Sequence, residues 1–423
     1  MSLGYGQMVD VAALEALIDA GPIPLEGRGE YEGAHIGLVV IDAETGDVLV
    51  DIRGGEGFTP ASSMKILPTS AILDALGPNF QFETVVLASE PDEGTIERLT
   101  LRGEGDPSLA QFGSDNSLAA LAQQLADQGI TEIDDLHVDD YAFDWPRWGS
   151  GWMWDDPAYP YGAVFVEGDA APYVDMTIGA VADAELITNP DAYPREVGKL
   201  FALELARVGI TVDGDIMRGT AEDADAVIAS VQSRPLHELV TDANKRSLNH
   251  YAEQLYARLG LAGEPSTRGR SFDALTEFLL KADVDSDQMR IRDASGLSRY
   301  NLVTPMQLSK VLSYMYQNPI TTDGAEVSPR DAFDASSNVL VNSLPVAAAD
   351  GDVGGTLRNR LVDEGITVIA KTGSMTGVSS LSGYLVTESG QVLAFSMLMD
   401  NFVGFTSDMR RLQDALMREM VTF

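Results

Sequence analysis

The sequence predicts an α/β (α+β) protein in which both ends of the chain share one five-stranded antiparallel sheet, interrupted by a β-rich inserted region. Three observations lead there. Near the start, His35 to Ile41 and Val48 to Ile52 are short apolar runs flanking Glu44-Thr45-Gly46-Asp47, the pattern of a hairpin. Near the end, Thr367 to Lys371, Leu381 to Val386 and Val392 to Met399 read as three more strands, the last two joined through Glu388-Ser389-Gly390. Between them the chain changes character over residues 81–231, so residues 1–80 and 232–423 are expected to form one discontinuous domain and 81–231 the insertion.

The elements follow in order. Val11 to Ile18 has helical apolar spacing and stops at Gly21-Pro22. A second helix begins near Ser62, carries Ile66, Leu67, Ala71, Ile72, Ala75 and Leu76 at helical spacing, and ends at Gly77-Pro78. In the insertion, Phe82 to Leu87, Ile96 to Leu101, Leu136 to Val138, Val174 to Val181, Ile210 to Met217 and Val227 to Val231 read as strands; Leu118 to Gln128 and Glu196 to Val208 read as helices. Residues 141–162 hold all four tryptophans (Trp145, Trp148, Trp152, Trp154) among Pro, Gly, Asp and Tyr, too many large aromatics for a mere linker. After Arg234-Pro235 the chain is helix-rich over 236–242, 246–259, 270–281 and 305–317, and Asp408 to Met420 is a last helix.

Composition narrows the function. The 423 residues carry 65 acidic against 28 basic side chains, a net charge of −37. That surface repels nucleic acid and anionic membranes, so neither is expected as a partner. Heavy acidity with scarce lysine also suits a protein kept soluble in high salt, with a moderately acidic envelope protein as the alternative. With no cysteine, disulfides, thiolate catalysis and cysteine–metal sites are excluded. Four dispersed histidines (His35, His137, His237, His250) make a poor metal set, and no apolar run reaches membrane-spanning length. The start lacks a basic segment followed by an apolar one, so no secretory leader is visible, and Met1-Ser2-Leu3 reads as a stub replacing one.

The chemistry begins at Thr59-Pro60-Ala61-Ser62-Ser63-Met64-Lys65. Residues three apart on a helix share a face, so the Lys65 ammonium can lie beside the Ser62 hydroxyl. At a helix N-terminus, backbone N–H groups favour developing negative charge. This is the layout of a serine nucleophile deprotonated by a lysine. A lone S-x-x-K is more often just an N-cap serine followed by a solvated lysine. Here, however, the lysines are Lys65, Lys199, Lys245, Lys281, Lys310 and Lys371, and only Lys65 follows a serine by three. Two further elements come in order: Ser247-Leu248-Asn249 opening a helix, and Lys371-Thr372-Gly373-Ser374 ending a strand, with a glycine that lets a ligand approach the backbone. Ser336-Ser337-Asn338 also fits S-x-N but has no clear helix after it.

The ordered set S-x-x-K, S-x-N, K-T-G is the one shared by penicillin-binding proteins and class A β-lactamases. With it, Leu101-Arg102-Gly103-Glu104-Gly105-Asp106-Pro107-Ser108-Leu109, Asp293-Ala294-Ser295-Gly296-Leu297-Ser298-Arg299, Gly355-Thr356-Leu357-Arg358-Asn359-Arg360 and Leu381-Ser382-Gly383-Tyr384 give nearly the whole chain a resemblance to one family. That family is the low-molecular-mass penicillin-binding proteins of the D-alanyl-D-alanine carboxypeptidase/endopeptidase type, the penicillin-binding protein 4-like group or peptidase S13. The resemblance implies a transpeptidase/β-lactamase-like domain, its five-stranded sheet between helices, interrupted after the nucleophile helix. Here 247 − 65 = 182 residues separate the first two motifs, short enough that a nested subdomain is expected to be reduced or absent. Residues 347–354 look longer than the usual approach to Gly355-Thr356-Leu357.

The implied enzyme is a serine-type D-Ala-D-Ala carboxypeptidase or endopeptidase of the periplasm or extracellular envelope, acting on peptidoglycan stem peptides and acylated by β-lactam antibiotics. It needs no metal or cofactor and commits to no oligomeric state. Ser62 attacks the penultimate D-Ala carbonyl and neutral Lys65 takes its proton, with Lys371 the cation that lowers the Lys65 pKa. Backbone N–H groups of Ser62 and Ser374 form the oxyanion hole. Ser247 passes the proton to the leaving amine, Asn249 holds the substrate amide, and Thr372 and Ser374 hold the terminal carboxylate beside Gly373. Trp152, Asp155 and Met375 either form a pocket for a diaminopimelate side chain, or the tryptophans only cement the insertion. Two rivals stand beside this reading. A β-lactamase would need a deacylating glutamate in an E-x-x-L-N-like loop, and none lies between Asn249 and Lys371; Glu185-Leu186-Ile187-Thr188-Asn189 precedes Ser247. A non-catalytic wall-binding protein would not need every motif intact.

Overall fold

The computed structural model describes residues 10–21, 33–146, 148–153, 161–167, 185–186 and 188–423. Its strands, in chain order, are β1 (His35–Asp42), β2 (Val48–Ile52), β3 (Glu83–Ala88), β4 (Thr95–Arg102), β5 (Glu132–Asp139), β6 (Thr211–Val212), β7 (Ile216–Arg218), β8 (Ala226–Gln232), β9 (Thr367–Met375), β10 (Val378–Val386) and β11 (Val392–Asp400). They fall into two compact units. One comprises Met1–Pro78, Val240–Asn249 and Leu275–Phe423; the other comprises Asn79–Leu239 and His250–Ala274. Residues 250–274, expected with the first region, group with the second.

The first unit is built on the order β2-β1-β11-β10-β9, every neighbour antiparallel. The two ends of the chain meet in its middle, where β1 pairs with β11 from His35↔Asp400 to Asp42↔Leu393. Every residue of β11 is buried, as suits a strand covered on both faces whose sequence is apolar but for Ser396 and the final Asp400. On one face Leu38, Val40, Phe395 and Met397 share a core with Leu14 and Ile18 of the Val11–Ala20 helix and with Leu412, Leu416 and Met417 of the Thr406–Met420 helix. The Pro305–Gln317 helix packs on the other face, its start fixed by a Thr304/Gln307 capping box with Pro305 behind it. Burial of large side chains at about 1.5–3 kcal/mol each makes this sheet a stiff platform for the edge strand β9.

The second unit has the order β6-β5-β4-β3-β8, with β7 also on β5; β3 is antiparallel to β4 and β8, whereas β5 is parallel to β4, β6 and β7. Leu118–Asp127 and Ala192–Arg207 pack together and share a core with Leu99, Leu101, Leu136 and Val138. The strand expected over Ile210 to Met217 is two short ones, broken where Gly214 N–H donates to Asp134 O at 2.6 Å. The strand expected over Leu136 to Val138 starts earlier, at Glu132. In the acidic block after β4, Asp106 is buried and accepts from Ser108 N, Ser108 Oγ and Asn116 Nδ2, each at 2.8 Å. Burial pushes its pKa up against those hydrogen bonds. Its role within this unit is to hold a turn. The expected strand Val174 to Val181 lies outside the described residues.

Candidate active site

Ser62 lies in a 3-10 turn, Ala61–Lys65, that leads into the Ile66–Leu76 helix rather than in the helix itself. The difference matters because side chains three apart eclipse one another in a 3-10 turn. Lys65 Nζ is 3.1 Å from Ser62 Oγ, 2.8 Å from Asn249 Oδ1 and 2.7 Å from the Ser295 carbonyl oxygen. Lys65 is fully buried. The last two of these neighbours are pure acceptors. A neutral amine donates its two N–H groups to them and keeps a lone pair facing the one hydroxyl that has a proton to give.

Two loops hold that geometry. Ala61, just before Ser62, is left-handed with φ 46°, a conformation that costs a non-glycine residue about 1–3 kcal/mol and persists only where the surroundings enforce it. Gly296 packs directly against this residue, and a Cβ there would run into the Ala61 carbonyl. Gly296 is in turn fixed by Asp293, which accepts from Gly296 N at 2.8 Å, Asn301 Nδ2 at 2.6 Å and Ser298 N at 2.5 Å. The Asp293-Ala294-Ser295-Gly296 segment therefore aims the Ser295 carbonyl at Lys65.

Ser247 does not begin a helix. It sits left-handed at φ 60° between the Leu236–Lys245 and Asn249–Leu259 helices. Its hydroxyl accepts from Lys371 Nζ at 2.9 Å, and the same ammonium donates to Thr372 O at 2.9 Å. Behind it, Asn244 Nδ2 donates to Ser343 Oγ at 2.9 Å and to Thr69 Oγ1 at 3.3 Å, tying this segment to the Ile66–Leu76 helix. Burial, and then the neighbouring Lys65, hold the Lys371 pKa well below the ordinary lysine value of 10.5. Two amines in one dry site cannot both carry a proton cheaply.

β9 runs on through the K-T-G segment to Met375, paired with β10, so Gly373 is inside the strand and not at its end. A Cβ at Gly373 would collide with Ser380 Oγ and lie 2.8 Å from Pro60 O and 2.9 Å from Ser62 N. Ser63 Oγ and Ser380 Oγ are 2.8 Å apart, and Ser380 Oγ donates to Pro60 O at 2.7 Å, bonding the nucleophile turn to the sheet. The backbone of β9 thus lies against the Ser62 amide. A cavity of about 240 Å³ opens there, lined by Ser62, Ser247, Thr356, Arg360, Thr372, Ser374 and Arg410.

Three contributors escaped the sequence reading. The Ser295 carbonyl is backbone and leaves no side-chain signature. Thr356 Oγ1 accepts from Thr372 Oγ1 at 2.7 Å. Arg410, on the Thr406–Met420 helix, donates to Ser374 Oγ at 3.1 Å. Burial and then Arg360 lower the Arg410 pKa, with Asp414 acting against them. Arg360 itself is matched by Asp414, at 2.5 Å. The spare S-x-N, Ser336-Ser337-Asn338, does precede a short helix, Val339–Ser343; Asn338 is its N-cap and donates to Met315 O at 2.9 Å. Met375 is half-buried on β9. In the second unit Trp152 is buried, its ring 5.1 Å from that of Trp148 and 5.4 Å from that of Tyr161. Asp155 lies outside the described residues.

Comparison with known proteins gives a consistent picture. The family described as D-Ala-D-Ala carboxypeptidase 3 (S13) matches residues 25–170 and 186–421. A D-alanyl-D-alanine carboxypeptidase of Actinomadura sp. (strain R39) is 32% identical over 88% of this chain and 79% of its own length. D-alanyl-D-alanine carboxypeptidase DacB of Haemophilus influenzae is 26% identical over 88% of this chain and 86% of its own. The fold is similar to that of the crystal structure of penicillin binding protein 4 (DacB) from Haemophilus influenzae, with a TM-score of 0.78 over 98% of this chain and 100% of that one at 22% identity.

Proposed function

Because this chain belongs to the D-Ala-D-Ala carboxypeptidase 3 (S13) family, we propose that it is a serine DD-peptidase that releases the terminal D-Ala of peptidoglycan stem peptides through an acyl-enzyme on Ser62. The observation that carries this reading is the Ser62–Lys65–Asn249–Ser295 contact set, which brings a buried amine within hydrogen-bond reach of the Ser62 hydroxyl. Ser62 Oγ attacks the carbonyl carbon of the penultimate D-Ala as its proton passes to Lys65. The tetrahedral oxyanion is received by the Ser62 and Ser374 N–H groups, each worth about 3–4 kcal/mol in such a site. The C–N bond then breaks, and the departing amine takes a proton through Ser247, whose hydroxyl is held by Lys371. Thr372, Ser374 and Arg410 hold the leaving residue's carboxylate, and Asn249 also meets the substrate amide. Water releases the acyl group by the same path in reverse.

A β-lactam presents the same carbonyl and carboxylate, so it acylates Ser62 and deacylates slowly, since among the described residues no glutamate lines the cavity to activate water. A structure with a β-lactam is known for the Haemophilus influenzae protein that shares this fold. A peptidoglycan substrate supports a location in the periplasm or outside the cell. No helix among the described residues is long and apolar enough to cross a membrane. The test is intact mass after incubation with benzylpenicillin, followed by peptide mapping. One adduct on the peptide holding Ser62, absent from Ser62→Ala, supports the reading; an adduct elsewhere, or none, overturns it.

A further inference from the structure

The first unit holds one histidine, His35, and the proposed reaction makes no use of it. It is nevertheless held from three sides at the start of β1. Its Nδ1 is 3.0 Å from Asp400 Oδ1 at the end of β11, and its Nε2 is 2.7 Å from Glu56 Oε2 in the segment after β2. Its ring stacks on that of Phe58, with centroids 3.8 Å apart and planes 7° from parallel. Ionised carboxylates only accept hydrogen bonds, and a neutral imidazole has one N–H to give. Two carboxylate contacts therefore call for hydrogen on both ring nitrogens, which is the geometry of an imidazolium with charge-assisted bonds. Arg53, whose guanidinium donates to Ile36 O at 3.3 Å, is a cation beside the next residue of β1 and works against the ring's charge. The Pro305–Gln317 helix, which packs on β1, brings no charged side chain in its first turn, Pro305 to Leu308. Val378, opposite Asp400 on β10, is apolar.

What this cluster holds is the approach to Ser62. Asp400 is buried, and its other oxygen, Oδ2, accepts from Thr59 N at 3.0 Å, three residues before Ser62. Phe58, under the ring, is fully buried; its N donates to Val303 O at 2.9 Å and its O accepts from Val303 N at 3.0 Å. From Thr59 the chain passes through Pro60, whose carbonyl accepts from Ser380 Oγ, to left-handed Ala61 and Ser62. In a neutral ring the one hydrogen belongs to the shorter contact, with Glu56, and a lone pair then faces Asp400 Oδ1. Asp400 is pushed off, and the Thr59 N–H loses its fixed acceptor.

Resting on the proposed function, we infer that His35, as an imidazolium bridging Glu56 and Asp400, is a positioning residue for the nucleophile: it holds the Asp400 carboxylate on the Thr59 N–H and so sets where the turn carrying Ser62 begins. It touches no substrate and moves no proton in the reaction.

The test uses the whole protein and measures the limiting acylation rate and the half-saturating concentration of a fluorescent penicillin from mildly acid to alkaline pH. His35→Phe keeps a ring on Phe58 and removes both hydrogen bonds. In mildly acid solution its limiting rate is expected to fall about tenfold, with the half-saturating concentration within about twofold of wild type, because the groups that take the carboxylate are untouched. Dividing the wild-type rate by the variant's at each pH cancels the rise due to the Lys65/Lys371 pair. That quotient is expected to shrink to about threefold or less as alkaline pH removes the ring proton, histidine titrating ordinarily between about pH 5 and 8. Glu56→Gln, at an exposed position, supplies the rescue. Its amide donates to Nε2 of a neutral ring and leaves the Nδ1 hydrogen for Asp400, so in alkaline solution it acylates about threefold faster than wild type. Wild-type acylation by His35→Phe overturns the inference. So does a loss that is equal at every pH or that appears in the half-saturating concentration, since His35 is then structural only. Should His35→Phe fail to fold, Glu56→Gln decides alone, and no alkaline gain over wild type overturns the inference. If wild-type Ser62 takes no label, the proposed function itself falls; if it is labelled and the variants track it at every pH, only the role of His35 falls.

Discussion

The closest approach at the site is between backbones, and it predicts that Gly373→Ala is a severe catalytic lesion from a single methyl group. The new Cβ would stand 2.9 Å from Ser62 N and 2.8 Å from Pro60 O. Ordinary contact starts near 3.4 Å, so the nucleophile turn and β9 must separate by 3.4 − 2.9 = 0.5 Å or more. The Ser63–Ser380–Pro60 hydroxyl chain resists this, because the same Cβ also overlaps Ser380 Oγ. Overpacking of this kind costs about 1–3 kcal/mol of stability. The catalytic cost is larger: the two proposed oxyanion donors, Ser62 N and Ser374 N, sit on the two backbones being pushed apart, and loss of one such donor costs about 10²–10³ in rate. The assay is the second-order rate constant for acylation by a fluorescent penicillin, with thermal unfolding recorded on the same samples. Acylation slowed at least about a hundredfold in a protein that still folds is the expected result. A variant with wild-type acylation and an unchanged melting temperature would falsify the close approach and, with it, the placing of the oxyanion hole.

Other outcomes follow from the same geometry. Ser63→Ala should still acylate, because it leaves the Ser62–Lys65 contact intact and removes a buried hydroxyl whose bonds to Ser380 Oγ and Lys371 O are worth about 1 kcal/mol each; loss of acylation matching that of Ser62→Ala would mean the nucleophile is misassigned. Acylation should rise with pH as the Lys65/Lys371 pair gives up a proton below the ordinary lysine range, and a flat profile from mildly acid to alkaline pH removes the amine base. Because the folded pKa of Lys371 is depressed, the unfolded chain binds more protons between that value and 10.5, so stability rises with pH across this window with a slope of about 1.4 kcal/mol per pH increment of one. Lys371→Met should flatten that rise in a denaturant titration repeated at several pH values. Arg410→Gln should raise KM about 10–100-fold for peptides ending in a free carboxylate and leave their C-terminal amides unaffected; an equal change for both would make Arg410 structural.

What the sequence made legible and what it hid divide along a physical line. The S-x-x-K, S-x-N and K-T-G spacings placed five side chains in one site because each spacing is local and the element beneath it is decided by apolar periodicity. The strand pattern likewise announced a sheet joining both ends of the chain. Conformation at single residues was hidden: nothing in Ser247-Leu248-Asn249 says that Ser247 is left-handed, since tertiary packing, not propensity, enforces φ 60° there. The Ser295 carbonyl was hidden because every residue has one. Arg410 was hidden because it reaches Ser374 from 36 residues away on a helix whose pattern reports only its buried face. The assignment of residues 250–274 was hidden because their apolar spacing gives a helix but not which core it joins.

The pairing of β1 with β11 has a consequence for how the protein is made. His35 and Asp400 are 365 residues apart, so at ordinary rates of synthesis the first strand waits roughly 20–70 s for its neighbour. Throughout that interval Ser62 and Lys65 already exist, but β9, which carries Lys371 and closes on the Ser62 amide, does not. The entire second unit, ending at Ala274, leaves the ribosome before any of the late strands. A chain ending short of β9 would carry Ser62 and Lys65 without the strand that packs against the Ser62 amide, and is expected to take no label from a fluorescent penicillin.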